Sequence, residues 1–419
     1  MYVRFYITLC LMIGISNCVF AQLGYQTEVE WITYPEIEET DDESFVFGRV
    51  NLDYQHIINH DMRFFTAISF RRSDPGDTRD QERLSELYID YRHLRFDLRS
   101  GLQYINWGRA DIVNPLDFSP QDFRDPLDDD NEDLPVAGFN LSYYLETSQI
   151  QWIVLPYFID SELPKPESIW FSNLPSQTPL GQDIQYTVVE ANQPETGIDN
   201  WQTGVKWSHR GRGFDWAVSY FYGWNDVPLF YTSNQFINST TVKVFLEPTF
   251  YRQHIIGFDS AWLIEDYTFR SELAYKHTSD NEGEDPYIDD PYLHMVLGID
   301  RTFQNIIFEK DLFLLLEYSY QHAITDIQYQ TNDFDHIFEN TLFTRFGMDN
   351  LPKWELQIDL AFDLASEGYF VRPQLSYEWF DNFKTQISIE FLEGNSNSFF
   401  GANKENKAIR FRIIKEGIF

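Results

Sequence analysis

Along much of this chain apolar and polar side chains alternate one for one. In residues 353–363 the apolar set is Trp354, Leu356, Ile358, Leu360 and Phe362, opposed by Glu355, Gln357, Asp359 and Asp363. In residues 369–379 Tyr369, Val371, Pro373, Leu375, Tyr377 and Trp379 oppose Arg372, Gln374, Ser376 and Glu378. Tyr267, Phe269, Leu273 and Tyr275 likewise oppose Arg270, Glu272 and Lys276. A period of two places each set on its own face of a β-sheet, one face suited to lipid and the other to water. The chain ends in the same pattern, with Ile409, Phe411, Ile413, Lys415, Gly417 and Phe419 on one face and only Lys415 out of character.

Applied throughout, this reading gives strands near residues 24–34, 44–57, 61–71, 84–92, 95–106, 136–146, 149–158, 199–209, 213–223, 253–263, 266–277, 292–303, 309–321, 335–347, 353–363, 368–379, 383–393 and 406–419. The prediction is an all-β fold, a transmembrane antiparallel up-and-down barrel of about 18 strands, in the range 16–18. Connection lengths agree, because tight links such as His93-Leu94, Thr147-Ser148 and Glu265 alternate with long segments such as 159–198, 224–252 and 278–291. Residues 241–250 also have strand character, but counting them in the wall would put the 278–291 loop on the wrong side. They are expected as a β extension within an outer loop, with Pro248 at an edge.

The first residues fit a secretory signal: Arg4, an apolar stretch from Ile7 to Ile15, and Val19-Phe20-Ala21 before Gln22. The expected division is a signal peptide over 1–21 and a barrel over 22–419; a lipidated Cys18 is the competing reading, poorly served by Asn17. Both cysteines, Cys10 and Cys18, fall within the signal, which removes disulfides and cysteine chemistry from the processed chain. Processing takes away Arg4 and no acid, leaving 30 basic against 66 acidic residues and a net charge of −36. Nucleic acid is therefore excluded as an expected partner. No apolar run beyond the signal reaches the ~20 residues of a transmembrane helix, whereas barrel strands need only about 9 to 11 with every other one apolar. The 37 Phe, 25 Tyr and 11 Trp decide for the barrel, since aromatic girdles mark membrane–water boundaries.

The most distinctive segment is Trp107-Gly108-Arg109-Ala110-Asp111, followed by Asn114-Pro115-Leu116-Asp117 and Arg124-Asp125. Here the chain resembles a family of porin-like outer-membrane barrels, some of which accompany RND-type exporters. The motif-level likeness lies in residues 101–135 and more weakly in 246–259. It implies a barrel and an envelope role without a settled substrate. Phe419 in turn resembles the terminal aromatic that the barrel assembly machinery reads across outer-membrane proteins, which makes it the expected assembly signal.

Read from the residues alone, Gly108 permits a sharp exit from a strand and Asn114-Pro115 is a turn dipeptide. Arg109 is expected to pair with Asp111 or Asp117, and Arg124 to sit close to Asp111, Asp117 and Asp125. Residues 107–135 then form either a constriction folded into the lumen or a rigid surface loop tied by ion pairs. Asp128, Asp129 and Asp130 are weak Ca²⁺ candidates in an acidic run that has no EF-hand glycine; a solvated loop is the alternative. A second acidic stretch, 36–43, is placed in the first outer loop, where divalent cations could bridge it to lipopolysaccharide. The expected lumen charges include Arg92, Arg95, Arg99, Arg270 and Arg372 with Glu86, Asp90, Glu355 and Asp359.

No G-x-S-x-G, H-E-x-x-H or P-loop occurs, and no segment commits to a Ser/His pair on adjacent strands, so no enzyme activity and no cofactor are expected. The expected protein is a bacterial outer-membrane channel for diffusion of small hydrophilic solutes, in contact with outer-membrane lipid and lipopolysaccharide, as a monomer or homo-oligomer. The alternative is an accessory envelope protein that transfers lipid or another hydrophobic substrate with an exporter partner.

Overall fold

The computed structural model describes residues 21–35, 44–73, 80–128, 133–166, 168–171, 176–285, 287–307, 310–324, 334, 336–396 and 398–419. The expected signal peptide, apart from Ala21, and the acidic stretch 36–43 lie outside them. In chain order the strands are β1 (Ala21–Thr33), β2 (Ser44–Ile57), β3 (Met62–Ser73), β4 (Gln81–His93), β5 (Phe96–Gln103), β6 (Val136–Tyr144), β7 (Ser148–Leu155), β8 (Asp183–Val188), β9 (Gln202–Arg210), β10 (Phe214–Trp224), β11 (Leu229–Phe236), β12 (Thr241–Thr249), β13 (Arg252–Ile264), β14 (Tyr267–Thr278), β15 (Tyr292–Ile307), β16 (Lys310–Ala323), β17 (Asn340–Leu351), β18 (Trp354–Asp363), β19 (Gly368–Phe380), β20 (Phe383–Glu393) and β21 (Ala408–Ile418). One four-residue helix, α1 (Phe399–Ala402), caps on Ser398 between β20 and β21.

Eighteen of the strands form one antiparallel sheet in which each pairs with the next in sequence, β8, β11 and β12 being left out. The sheet closes on itself: β21 pairs with β1 from Ile409↔Thr33 to Ile418↔Gly24. Closure removes the free edges that an open sheet of this size would leave. All eighteen predicted wall strands are present. At one end the chain reverses in short turns, in which Leu94, Glu265, Lys353 and Asn382 take positive φ; at the other end lie the long loops.

The alternation becomes a physical surface here. Ile256, Leu297, Trp152, Phe391 and Phe411 stand exposed on the outside, while Glu272, Glu317, Arg410 and Arg412 are buried on the inside. At the short-turn end the outer face carries the pairs Trp207–Trp216, Phe214–Trp262, Trp354–Tyr377 and Tyr25–Phe419, with ring centroids 4.6–5.5 Å apart. Near the long-loop end a second band runs through Tyr222, His254, His277 and Tyr320. Two aromatic bands flanking an aliphatic belt match the two interfaces of a bilayer. Lys415, the exception in the last strand, reaches Asp381 O at 3.0 Å beside the ring of Phe380, so its stem covers apolar surface while its ammonium leaves it.

Outside the wall, β11, β12 and β8 form a small mixed sheet, antiparallel between β11 and β12 and parallel between β12 and β8. Residues 241–250 are thus a loop extension as expected, but β12 is the central strand of that sheet, which corrects the edge placement of Pro248. The proline is tolerated because the β8 pairing ends at Leu246↔Val188. Beyond that point the carbonyl of Pro248 accepts from Asn192 N at 2.9 Å, and no donor is required of its nitrogen.

Candidate functional site

Beyond Gln103 the chain leaves the wall and turns into the lumen. Gly108 takes φ +101°, and a Cβ there would collide with the side chain of Asn114. Asn114 closes this bend: its Nδ2 donates to Trp107 O, and its Oδ1 accepts from Leu116 N at 3.0 Å. The turn predicted from Gly108 and Asn114-Pro115 is therefore one unit. Trp107 packs over Gly204 of β9, where an added Cβ would come within 2.8 Å of the indole. Phe118 stacks on Phe221 of β10 at 4.3 Å and meets Trp107 edge-on at 5.0 Å.

The segment between these anchors has no helix or strand partner, so its N–H groups need other acceptors. Two wall carboxylates provide them. Glu272 of β14 accepts from Arg109 N and from Ala110 N, the latter at 2.5 Å. Glu317 of β16 accepts from Asp111 N, Ile112 N and Val113 N at 2.8, 3.1 and 2.8 Å. Five consecutive amides thus sustain two buried carboxylates that would otherwise be costly inside the barrel. Side chains add to the attachment: Arg109 meets Asp259 of β13 at 2.5 Å and Asp215 at 3.8 Å, and Asp111 meets Arg270 at 2.8 Å.

A second limb crosses to another arc of the wall. Ser119 Oγ first donates to Ile105 O at 2.9 Å, returning the chain to its point of entry. From there Asp125 pairs with Arg410 at 2.7 Å and Asp128 with Arg412 at 2.8 Å, both on β21. Arg372 of β19 donates to Leu127 O at 2.9 Å. Leu127 is buried with Trp170, Phe343, Phe370, Leu392 and Phe400, so Ile169, Trp170 and α1 also fold inward at this point. The neck of the limb is tied by Leu134 N donating to Pro120 O at 2.5 Å, beside the facing carboxyls of Asp117 and Asp133. Burial first, and then the facing Asp133 carboxyl, push the Asp117 pKa well above the ordinary carboxylate value. Burial would raise Asp128 as well, but Arg412 and Arg410 hold it well below.

Residues 107–128 and 133–135 are therefore anchored inside the barrel, and the ion pairs differ from those expected. Arg109 engages the wall instead of Asp111 or Asp117, and Arg124 pairs with Asp122 at 2.5 Å and Glu162 at 3.0 Å instead of Asp111, Asp117 or Asp125. Local proximity in sequence suggested partners that the crossing of the lumen replaces. Asp128 spends its carboxylate on Arg412, while Asp129 and Asp130 lie outside the described residues. Among the described residues no group of three metal-ligating side chains occurs.

The lumen charges pair mainly with one another. Asp90 meets Arg63, Arg99 at 2.7 Å and Arg92 at 3.7 Å. Arg270 meets Asp300, and Asp359 bridges Arg345 at 2.6 Å and Arg372 at 3.1 Å. Glu86 is on the inner face of β4; Glu355 lines a 300 Å³ recess with Glu378, Lys384 and Glu416. Arg95 is not on a wall strand but in the exposed turn between β4 and β5.

Several site residues escaped the sequence reading. Arg410 and Arg412 were implied by the alternation, since they oppose Phe411, and Glu28 and Glu30 oppose Trp31 in the same way. Glu317 was hidden because Phe313 and Leu315, both inward, fill the polar phase of β16. Ser/His pairs on adjacent strands also exist: His294 Nε2 and Ser319 Oγ are 2.9 Å apart on β15 and β16, and His209 Nδ1 and Ser148 Oγ are 3.0 Å apart on β9 and β7. Ser319 is buried, whereas the Ser148–His209 pair is partly open.

No protein-family model matches the chain, and no curated protein does. Solved structures do. Pseudomonas aeruginosa OpdQ is similar over 96% of this chain and 97% of its own, with 9% identity and a TM-score of 0.54. Acinetobacter baumannii OccAB4 is similar over 96% and 99%, with 10% identity and a TM-score of 0.54. P. aeruginosa OccK11 (OpdR) is similar over 95% and 96%, with 11% identity and a TM-score of 0.52. At such identities the likeness establishes a shared barrel fold.

Proposed function

We propose that this protein is a bacterial outer-membrane channel through which small hydrophilic solutes diffuse, narrowed by the inward loop. The observation that carries this reading is the loop's two-sided anchorage: Glu272 and Glu317 hold one limb, Arg410 and Arg412 the other, inside an 18-strand wall of the size class that leaves an aqueous interior. The apolar belt between two aromatic bands faces lipid, and the outer loops meet lipopolysaccharide. Residues 1–21 direct export, and Phe419, which stacks on Tyr25 at 4.6 Å, is offered to the assembly machinery. Planar-bilayer recording tests the proposal. Purified protein should give stable unitary currents carried by small ions.

One observation favours the accessory reading. Two apolar clusters occupy the interior, one around Trp107, Phe118 and Phe221 and one around Leu127, Trp170 and Phe400. A barrel that conducts nothing and copurifies with lipid in stoichiometric amount supports transfer of a hydrophobic substrate with an exporter. An open pore without bound lipid supports diffusion.

A further inference from the structure

At the long-loop end, the small sheet of β11, β12 and β8 stands beside Ser279, Asp285, Tyr287 and Ile288 and leaves an open cleft of about 650 Å³. Tyr231 and Glu247 are directly opposed across β11 and β12, so they share the face that lines it. Tyr287 meets Tyr231 with ring centroids 5.1 Å apart and planes tilted by 48°, forming a wedge of two π faces. Asp285 fixes that ring by accepting from Tyr287 N at 3.0 Å, and Phe250, held edge-on by Phe158 at 4.7 Å, adds a third aromatic side.

The charges of the cleft select its occupant. Glu247 makes no side-chain hydrogen bond or ion pair among the described residues, and Asp285 has one carboxylate oxygen beyond the bond to Tyr287. The cation of the cleft, Arg252, has its donors engaged by Asp199 O at 2.7 Å and Trp201 O at 3.2 Å and lies over Trp224 and Tyr222 at 4.3 and 4.8 Å, which leaves one guanidinium charge in the lining against the two carboxylates of Glu247 and Asp285. Two carboxylates against one guanidinium leave the lining net negative, which together with its π faces disfavours anions. It attracts a positive group that is itself weakly hydrated, because ring quadrupoles stabilise such a cation at less desolvation cost than a compact ammonium.

We infer that this cleft is a reception site for small organic cations of the quaternary or methylated ammonium class, set at the mouth above the inward loop. The inference takes its meaning from the channel reading, in which capture precedes passage. Its test is independent of any current.

Choline chloride titrated calorimetrically into detergent-solubilised full-length protein should bind saturably, and more weakly as sodium chloride rises from 50 to 500 mM. Tyr231→Leu and Glu247→Gln should each weaken it roughly two- to fivefold, the span of one cation–π or exposed charge contact. Both positions face the cleft, and heat-modifiable migration on gels verifies that each variant is folded. Absence of saturable choline binding overturns the inference, as does affinity unchanged in both folded variants or equal binding of the neutral maltotriose. If choline binds as expected while bilayers show no current, the site stands and the channel reading falls.

Discussion

Arg410 of the closing strand and Asp125 of the inward loop form a buried ion pair at 2.7 Å that joins positions 285 residues apart. Arg410 also meets Glu390 at 2.9 Å and Glu30 at 3.3 Å, so one guanidinium holds β20, β1 and the loop together. Replacing it by methionine leaves four carboxylates, Asp125, Glu390, Glu30 and the more distant Asp128, without that partner. The expected cost is about 3–5 kcal/mol, read as a lower unfolding temperature in detergent. Asp125→Asn should cost less and raise open-channel noise; equal stability of Arg410→Met and the parent would contradict the assigned network.

Among the described residues Glu317 pairs with no cation but receives three loop amides. Glu317→Ala leaves those N–H groups without their acceptor and should release the first limb. Larger conductance with frequent short closures is the expected record. Glu317→Gln keeps one carbonyl acceptor and should fall between. Indistinguishable traces from all three proteins would show that the limb is held by something else.

The wall faces can be tested by charge. Ile358 lies on the outer face of β18, and Arg placed there should cost ~2–4 kcal/mol at the bilayer midplane. Gln357 is inward, with its Nε2 donating to Asp359 at 2.9 Å, and an arginine there can join the same carboxylate. Gln357→Arg is therefore expected to be mild. Equal destabilisation in refolding measurements would reverse the face assignment.

The two anchor points of the second limb should answer pH in opposite senses. Asp117 and Asp133 have raised values in the folded protein, from burial and from each other, so the folded state holds protons that the unfolded chain releases above its value near ~3.9. Their contribution is complete below that value and is lost as pH rises through the raised pKa. Asp128, depressed by Arg412 and Arg410, contributes above ~3.9 and loses its contribution only as pH falls through the depressed value. Open-channel fluctuation should therefore grow as pH rises above ~3.9 and grow again as it falls below that value. Asp117→Asn should flatten the first rise; a parent record with no rise above ~3.9 would contradict the raised Asp117 and Asp133 values.

Phe419 donates its N–H to Leu23 O at 2.9 Å, and its ring remains 79% exposed on the outer face. Its removal breaks little of the wall, so the folded protein should keep nearly full stability once formed. The expected loss is in yield of heat-modifiable, membrane-integrated protein. Unchanged integration across expression levels would show that the ring plays no part in recognition.

The wall was legible in the sequence because lipid and water act on alternate residues, and that demand repeats in Trp354, Leu356, Ile358, Leu360 and Phe362 as in Ile409, Phe411 and Ile413. The bend at Gly108 and Asn114 was legible too, since its chemistry is local. What fixes the loop was not. Asp259, Glu317, Arg410 and Arg412 meet it only because a closed sheet brings distant strands around a common interior, and no pattern near residue 109 encodes which wall positions lie opposite. β11 escaped for a simpler reason: six of its eight residues are exposed, so neither face carries a core signal.

The clasp between β21 and the loop imposes an order on assembly. Asp125 and Asp128 precede about two-thirds of the chain, yet the arginines they pair with at 2.7 and 2.8 Å, Arg410 and Arg412, lie on β21. Until β21 docks, the second limb lacks these anchors. Sealing the cylinder and fastening that limb thus become a single event. A barrel whose β21 fails to dock is left both unzipped and with its second limb unclasped, a double defect that makes incomplete molecules physically distinct from complete ones.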